Sequence, residues 1–505
     1  MTNWLADALF SPHLNSQAPF LDTQGKGRMT YHAFLQMTSR YAHALNALGA
    51  VAGDRLVMQV EKSVQALVVY AACIRAGVVF VPLNTAYQAE ELAYFIADAA
   101  PKLIVCDPAA RVALAGIADT AGASLLTMAA DGSGEFQDAA ADQPVHYDNA
   151  VCGPDDLAAF LYTSGTTGRS KGAMLTHDNL LSNARALADV WQFTADDVLL
   201  HALPIFHAHG LFVACNVTLL AGGSMIFLPR FDLEAVLAAL PHATTMMGVP
   251  TFYTRLLDDA RFNRGLAGHM RLFVSGSAPL LAETHATFQA RTGLAILERY
   301  GMTETGMNTT NPYDAERRPG TVGFPLQGVC LRIADAETGQ VVPQGAMGVI
   351  EVRGPNVFKG YWKMPEKTQA EFRDDGFFIT GDIGRIDEDG YIHIVGRAKD
   401  LIITGGYNVY PKELELLLDE HPDVLEAAVI GVPHPDFGEA VVAVVVARAQ
   451  RTPDAEAIRS GLSTRVTKFK QPKAVIVVGE LPRNTMGKVQ KNLLRDSYRD
   501  LFRTG

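Results

Sequence analysis

Short runs of Val, Ile and Leu alternate with longer helical segments between residues 55 and 248. The predicted strands are Arg55–Met58, Val78–Val81, Leu103–Cys106, Val198–Leu203, Ser224–Leu228 and Thr244–Gly248. The predicted helices are Ser63–Ala76, Ala89–Ala97, Asn179–Ala188 and Leu233–Ala239. Because neighbouring parallel strands need a crossover connection, which is usually a helix, this alternation predicts an α/β fold with largely parallel sheets.

The pattern changes twice toward the C-terminus. After about residue 320, TVGFPLQGVCLRIADAETGQVV and MGVIEVRG predict strands joined by turns. The acidic run Asp387–Gly390 predicts a hairpin turn, because its glycine stands at the wrong position for a calcium loop. From Lys399 a small α/β unit is predicted, with helices over Lys412–Glu420 and Ala455–Val466 and strands over Ala427–Val432, Ala440–Ala447 and Ala474–Val478. We therefore predict a large N-terminal domain, residues 1–398, of stacked and mostly parallel sheets plus a β-rich subdomain, and a small C-terminal α/β domain, residues 399–505.

Charge and apolar runs exclude several partner classes. The 505 residues carry 43 Lys and Arg against 54 Asp and Glu, a net charge of −11. Nucleic-acid binding depends on phosphate neutralisation by Lys and Arg, so we do not expect it. The longest apolar run, Ala66–Phe80, is interrupted by Arg75 and Gly77 and falls short of the roughly 18 residues of a membrane-spanning helix. Five scattered cysteines form no C-x-x-C pair and the N-terminus has no signal pattern, so we expect a reducing, cytoplasmic location without membrane association.

The strongest local motif is YTSGTTGRSKGAMLTH, residues 162–177, directly after the apolar strand Leu157–Leu161. Six consecutive Ser, Thr and Gly residues supply backbone N–H and hydroxyl donors, and Lys171 adds a cation. Glycines let a backbone approach an anion closely, which suits a polyphosphate. The spacing is not that of the Walker A loop. The residues alone leave two interpretations open, a phosphate-binding loop and an ordinary flexible surface loop.

TSGTTGRSKG closely resembles the phosphate loop of the acyl-adenylate-forming superfamily, which includes acyl-CoA synthetases. The other loops of that superfamily recur in order, as LPIFHAHG (203–210), SGSAPL (275–280), RYGMTE (299–304), ITGDIGRIDEDGYIHIVGRAKDLIITGGYNVYP (379–411) and PRNTMGKVQK (482–491). The match spans essentially the whole chain. It implies an enzyme that joins a carboxylate to the α-phosphate of ATP, releases pyrophosphate, and passes the acyl group to the thiol of coenzyme A.

Each loop then has an implied task. The resemblance assigns the β- and γ-phosphates and the departing pyrophosphate to Thr163, Ser164, Gly165, Thr166, Thr167, Gly168 and Lys171. It assigns the adenine and α-phosphate to Tyr300, Gly301, Met302 and Thr303, with Thr303 donating a hydrogen bond, and Mg²⁺ to Glu304. It assigns the ribose to Asp382 and Arg397, and the contact between substrate carboxylate and α-phosphate to Lys488. Taken singly, such an Asp or Lys is more often an ordinary turn or surface residue, and only the complete set supports these roles.

The second half-reaction involves further residues. The resemblance places His207 beside the acyl carboxylate and the thiol path, whereas a metal site at His207 and His209 lacks further ligands. It implies that the C-terminal domain is mobile, with its hinge at Lys399, and that the loop Gly405, Gly406 and Tyr407 lines the pantetheine tunnel once that domain rotates. Arg230 is a candidate for the CoA phosphates or an exposed loop charge. The segment around Lys488 also resembles one that protein acetyltransferases modify, which implies an acetyltransferase as a partner.

Arg299 bears on the choice of substrate. It directly precedes YGMTE, where aryl-CoA ligases commonly have a small residue. A guanidinium in a water-poor pocket is costly unless an anion meets it. The residues alone leave two kinds of anion open, the second carboxylate of a short dicarboxylate substrate and a protein carboxylate, which is Glu298 or another local acid.

The surrounding stretch, residues 298–326, resembles malonyl-CoA synthetases. In those enzymes the equivalent arginine recognises the second carboxylate of the substrate, with help from the positions of Ser277 and His207, and Ala278 adjoins Ser277 in SGSAPL. The resemblance implies ligation of malonate to CoA, giving malonyl-CoA, AMP and pyrophosphate. It extends to methylmalonate, because one methyl group changes binding by only about 1–3 kcal/mol. The alternative is a CoA ligase for a short or medium fatty acid or an aryl monocarboxylate.

Overall fold

The computed structural model describes residues 2–23, 27–163, 170–405, 407–463, 465–484 and 488–502. The chain divides into two compact units. The larger contains residues 1–331 and 352–378, and the smaller contains residues 332–351 and 379–505. In the described ranges, no helix is both long and apolar enough to cross a membrane.

Helices and strands occur in both units. The α-helices are α1 (Trp4–Leu9), α2 (Tyr31–Ala47), α3 (Val64–Ala76), α4 (Ala89–Ala99), α5 (Arg111–Ala121), α6 (Glu135–Ala141), α7 (His177–Val190), α8 (Asn216–Ala221), α9 (Leu233–Ala239), α10 (Pro250–Leu257), α11 (Arg264–Ala267), α12 (Ala282–Thr292), α13 (Pro365–Ala370), α14 (Pro411–Asp419), α15 (Ala455–Ser463) and α16 (Lys491–Ser497). The strands as far as residue 325 are β1 (Pro19–Asp22), β2 (Arg28–Thr30), β3 (Arg55–Gln59), β4 (Val79–Pro82), β5 (Leu103–Cys106), β6 (Ser124–Thr127), β7 (Leu157–Thr163), β8 (Lys171–Thr176), β9 (Val198–His201), β10 (Ser224–Phe227), β11 (Thr245–Gly248), β12 (Leu272–Ser275), β13 (Leu297–Met302), β14 (Gly306–Thr310) and β15 (Phe324–Pro325). The later strands are β16 (Cys330–Ala334), β17 (Gly348–Arg353), β18 (Gly360–Tyr361), β19 (Phe378–Ile386), β20 (Ile392–Arg397), β21 (Ile402–Thr404), β22 (Tyr407–Val409), β23 (Val424–His434), β24 (Gly438–Ala447) and β25 (Ala474–Val478).

Two sheets with mainly parallel pairing form the larger unit. One has the strand order β15-β14-β13-β12-β11-β9-β10-β1-β2, with parallel pairing from β13 to β1. The other has the order β18-β8-β7-β4-β3-β5-β6, with parallel pairing from β7 to β6. Strands β4, β5 and β12 are buried along their whole length, which explains why the sequence shows continuous apolar runs. The predicted α/β fold with largely parallel sheets is confirmed.

Local signals fix where the crossover helices begin and end. The Ser63 hydroxyl accepts a hydrogen bond from the backbone N–H of Ala66 at the start of α3. Gly77, with φ +71°, ends that helix, and a Cβ there would lie 2.9 Å from both Ala52 Cβ and Cys152 Sγ. The chain therefore turns directly from α3 into β4, as the predicted strand–helix–strand order requires.

The smaller unit is built around two antiparallel arrangements. One sheet has the order β16-β17-β19-β20, and the other has β22-β21-β24-β23 with β25 added in parallel to β24. The predicted hairpin between β19 and β20 is confirmed, because Asp387 Oδ1 accepts hydrogen bonds from the backbone N–H groups of Asp389 (3.1 Å) and Tyr391 (2.8 Å). Since β17 and β19 share one sheet, residues 332–351 and 379–398 group with the C-terminal segment. The pivot at residues 398 and 399 stays a prediction.

Candidate functional site

The two ends of the predicted phosphate loop meet at one sheet edge. Strands β7 and β8 are antiparallel, and Thr163 pairs with Lys171 in their register. Residues 164–169, which include the predicted Ser164, Gly165, Thr166, Thr167 and Gly168, lie outside the described residues. The described chain therefore fixes where this loop begins and ends.

A buried network connects the lysine of that loop to the predicted metal ligand. Lys171 Nζ lies 3.2 Å from Glu371 Oε1 and 4.0 Å from the centre of the Tyr361 ring. Tyr361 Oη lies 2.7 Å from Glu371 Oε2 and 3.1 Å from Glu304 Oε1. Sequence reasoning named neither Tyr361 nor Glu371. No local signal marks them, because they reach the site only through the pairing of β18 with β8.

The β13–β14 hairpin carries the predicted adenine and metal residues. Tyr300, Gly301 and Met302 lie on β13, and Thr303 and Glu304 follow in the turn to β14. The register shifts between Tyr300 and Gly301, and a Cβ on Gly301 would lie 2.1 Å from the carbonyl oxygen of Gly306. Only glycine fits there, so the hairpin closes tightly and holds Glu304 in a buried position.

Arg299 precedes this hairpin and is a buried cation. Its Nε and Nη2 atoms have no hydrogen-bond acceptor, and among the described residues no carboxylate pairs with its guanidinium. The salt bridge to Glu298 is not formed, since Glu298 Oε1 accepts from the backbone N–H of Gly320 at 3.0 Å. Burial lowers the pKa of Arg299 to about 9, and the nearby Tyr253 partly offsets that effect. The side chain therefore stays charged at neutral pH.

Gly276 makes room for this guanidinium. A Cβ at Gly276 would lie 2.3 Å from Arg299 Cζ and 2.5 Å from Nε. Ser277 follows in the left-handed region, with φ +71°, and its hydroxyl lies 3.3 Å from His209 Nδ1. The predicted Ser277 and Arg299 therefore lie close to each other in the fold. The partly buried Ala278 follows Ser277 in the chain.

Basic groups dominate the surroundings of Arg299. Burial and the neighbouring Arg299, His201 and His207 hold the pKa of His209 well below its usual range. Lys62 Nζ donates to the carbonyl oxygen of His201 (2.9 Å) and to its Nδ1 (2.8 Å). Burial holds the pKa of Lys62 well below its usual range too. The FHAHG motif could have indicated His209, whereas nothing in the local sequence indicates Lys62.

A cavity of about 250 Å³ opens beside these groups. Its walls include Lys62, Phe206, Arg230, Phe231 and Phe252. Arg230 is exposed, and Phe206 stacks at a tilt on the predicted His207, with ring centres 4.6 Å apart. The lining is mostly apolar, with the basic side chains of Lys62 and Arg230 and the acidic side chain of Glu61, which suits a ligand that has an apolar body and a charged part.

The predicted ribose residues are neighbours in the smaller unit. Asp382 on β19 and Arg397 on β20 are register partners, and Arg397 Nε lies 2.7 Å from Asp382 Oδ1. Asp382 is buried, while Arg397 is partly exposed. The predicted hinge residue Lys399 lies in the short 3₁₀ turn Ala398–Asp400 that follows β20.

The remaining predicted residues of the smaller unit lie on two loops. Gly405 has φ +56°, its backbone N–H donates to the carbonyl oxygen of Phe437 (2.8 Å), and Gly406 is outside the described residues. Tyr407 is exposed and stacks on Phe469, with ring centres 4.6 Å apart. Lys488 is exposed, and its backbone N–H donates to Asn484 Oδ1 (3.0 Å).

Two family models match this chain. The family described as AMP-binding enzyme matches residues 12–362, and the C-terminal domain of AMP-binding enzymes matches residues 413–488. The chain belongs to the AMP-binding enzyme family. This confirms the superfamily that the loop motifs indicated, and as a member of it the chain is an AMP-forming acid–CoA ligase that uses ATP and CoA.

Relatives within the AMP-binding enzymes cover nearly all of the chain. The solved structure of ATP-bound MatB from Rhodopseudomonas palustris is 58% identical, covers 100% of both chains and has a TM-score of 0.98. A feruloyl-CoA synthase from Amycolatopsis sp is 38% identical over 97% of each sequence. A malonate–CoA ligase from Arabidopsis thaliana is 34% identical over 92% of this chain and 80% of its own.

Proposed function

We propose that this ligase joins malonate, and also methylmalonate, to CoA through an acyl adenylate, giving malonyl-CoA, AMP and pyrophosphate. The observation that carries the proposal is Arg299, a buried guanidinium without an acidic partner in the described chain. Leaving a charge buried and unpaired costs several kcal/mol, so a negative group on the substrate is the expected partner. A carboxylate accepts two parallel N–H bonds from a guanidinium, which fixes its orientation as well.

The surroundings of Arg299 support a second carboxylate on the substrate. The hydroxyl of Ser277 and the ring of His209 offer hydrogen-bonding groups beside the guanidinium. We assign the second carboxylate to Arg299, Ser277 and His207, with Ala278 beside them. The similarity to malonate–CoA ligases supports the same choice.

We assign the adenylation step to the following residues. Lys171 and the loop Thr163–Gly168 hold the β- and γ-phosphates, and Tyr300, Gly301, Met302 and Thr303 lie along the adenine and α-phosphate. Glu304 offers a buried carboxylate oxygen, the hard donor that Mg²⁺ prefers. When bound, the ion neutralises charge on phosphate oxygens. Asp382 and Arg397 bind the ribose, and Lys488 draws the substrate carboxylate toward the α-phosphate.

The thioester step uses a different set of residues. We propose that the C-terminal domain, residues 399–505, pivots at Lys399 and brings Gly405, Gly406 and Tyr407 to the pantetheine path. The cavity beside Lys62 accommodates the pantetheine arm, with the exposed Arg230 at the CoA phosphates. We further propose a cytoplasmic location, and acetylation of Lys488 by a protein acetyltransferase, which would remove its charge.

Pyrophosphate release with a panel of acids tests the substrate. The panel contains malonate, methylmalonate, succinate, butyrate and ferulate, and we expect malonate and methylmalonate to give the highest kcat/KM. Arg299→Leu should lower kcat/KM for malonate by roughly tens- to thousands-fold, the worth of an anion contact of about 2–5 kcal/mol, and should spare butyrate. Arg317→Leu is the matched control. Arg317 is a partly buried arginine that donates to backbone carbonyls, so its removal should leave the malonate-to-butyrate ratio unchanged.

A second candidate is a monocarboxylate substrate, which the similarity to feruloyl-CoA synthase favours. It keeps the adenylation chemistry and changes only the acid. If wild-type enzyme prefers ferulate or butyrate, or if malonate turnover survives Arg299→Leu, the dicarboxylate proposal is wrong and this candidate replaces it.

A further inference from the structure

Three hydrogen-bond donors converge on the side chain of Glu371. Its Oε1 lies 3.2 Å from Lys171 Nζ and 2.8 Å from Lys367 Nζ, and its Oε2 lies 2.7 Å from Tyr361 Oη. These partners hold the pKa of Glu371 below its usual range against the opposing effect of burial. The carboxylate is therefore an anion in a fixed orientation, in contact with the lysine of the phosphate loop.

The fold holds Glu371 firmly in this place. Strand β18 pairs with β8, so Tyr361 lies beside Ala173, two residues after Lys171. Helix α13 then turns back, and the hydroxyl of Thr368 accepts from the backbone N–H of Tyr361 at 2.9 Å. Glu371 directly follows the last residue of α13. It therefore faces the side chain of Lys171, which lies 200 positions earlier in the sequence.

The contacts restrict a side chain that would otherwise be mobile. A lysine loses rotamer entropy when it is fixed in one place. Glu371 and the ring of Tyr361 hold the Lys171 side chain in one place. Since an ammonium has three protons, the pairing with Glu371 leaves donors for phosphate oxygens.

We propose that Glu371 is a positioning residue for MgATP, which holds Lys171 in the arrangement that receives the phosphates. The inference rests on the proposed role of Lys171 in phosphate binding. Glu371 itself touches neither substrate nor the reacting atoms. Its contribution is to binding of the nucleotide, and the acid and CoA sites do not depend on it.

A double-mutant cycle tests this arrangement. The variants are Lys171→Met, Glu371→Gln and their combination. Lys359→Met is the control, because Lys359 is an exposed lysine just before β18 that donates to the backbone carbonyl oxygen of Asp155. Calorimetry measures the Kd of MgATP without any acid substrate, so the readout does not need turnover. Melting temperatures without ligand and KM values for ATP and malonate complete the set.

We expect Glu371→Gln to raise the Kd of MgATP about tenfold, the worth of one fixed lysine side chain. The combined variant should bind no more weakly than Lys171→Met alone, because Glu371 acts through Lys171. Lys359→Met should stay within about twofold of wild type, and KM for malonate should not change in Glu371→Gln.

Two results would overturn the inference and leave the phosphate role of Lys171 intact. One is additive losses in the combined variant, and the other is an unchanged MgATP Kd in Glu371→Gln. If Glu371→Gln lowers the melting temperature and raises KM for every substrate alike, Glu371 is merely structural and the inference is wrong. If Lys171→Met binds MgATP normally, the proposed role of Lys171 fails and the inference fails with it.

Discussion

Gly276 determines how closely the side chain of Arg299 approaches the SGSAPL loop. Arg299 lies against the Cα of Gly276, in space that a Cβ would occupy. The neighbouring Ser277 has φ +71°, so the backbone of SGSAPL is already committed to an unusual path and cannot easily move aside. If Arg299 binds a second carboxylate, as proposed, Gly276 acts on substrate choice through the position of the arginine.

Gly276→Ala should separate dicarboxylates from monocarboxylates. Its methyl group would lie within 2.6 Å of Arg299 Cζ, Nε and Nη1, so the guanidinium must move away. We expect kcat/KM for malonate to fall about 10- to 100-fold, the loss of one charged hydrogen-bond pair, while butyrate activity is kept. Steady-state kinetics with both acids measures the ratio.

Gly116→Ala is the control for this substitution, because Gly116 lies in α5 and nothing lies within 4 Å of the position of its Cβ. Equal loss on malonate and butyrate in Gly276→Ala would mean general damage to the loop. Unchanged malonate kinetics would mean that Arg299 does not recognise the substrate from this position.

Among the helices and strands, the sequence predicted most accurately those that have a clear local hydrophobic pattern. The buried strands β3 and β5 carry continuous apolar runs, and α9 begins and ends where the periodicity places it. The two-residue strand β18 has no such signal, since it exists only because Gly360 and Tyr361 pair with a strand almost 190 positions earlier. Glu371 was missed for that reason. The loop motifs could be assigned tasks because a resemblance supplied them, and periodicity alone could not have done so.

The loop around Lys488 should serve only one half-reaction. Asn484 and Lys488 hydrogen-bond to each other through both backbone and side-chain groups, which closes the loop and presents the lysine at the surface. Lys488→Ala should lower malonate-dependent pyrophosphate release on the order of 100-fold or more, because it removes a cation from the transition state. Thioester formation from synthetic malonyl-AMP should stay within about threefold of wild type.

The exposed Lys468 in the same unit provides a control, and Lys468→Ala should leave both half-reactions intact. Equal losses in the two half-reactions of Lys488→Ala would contradict a domain pivot that exchanges residues between steps. Loss of thioester formation alone would assign Lys488 to the second step.

Several buried histidines of the folded protein have a lowered pKa and are uncharged at neutral pH. His201 and His209 lie in the cationic surroundings of Arg299, and burial is the first cause of the lowered pKa in each. His177 is different, because it lies outside that cluster, at the first position of α7. Both of its ring nitrogens are buried, and neither has a hydrogen-bond partner among the residues that the structure describes. The positive end of the helix disfavours protonation further. Folding therefore requires an uncharged ring at this position.

His177 predicts how stability depends on pH. Burial lowers its pKa to about 4, against an ordinary value of 6.5 in the unfolded chain. Above pH 6.5 neither state is protonated and His177 has no effect. Between pH 6.5 and 4 the unfolded chain binds the proton and the folded chain does not, so stability falls as the pH falls. From pH 6.5 to 5 the loss is about 2 kcal/mol from this residue alone.

Chemical unfolding between pH 7.5 and 5 should therefore show a steeper loss of stability in wild type than in His177→Gln, which has nothing to titrate there. His146→Gln is the control, because His146 is exposed and its replacement should leave the wild-type slope unchanged. Over that interval, wild type should lose about 2 kcal/mol more of its free energy of unfolding than His177→Gln does. Parallel curves for wild type and His177→Gln would mean that the ring is protonated in the folded protein. The acid sensitivity of the molecule would then come from other groups.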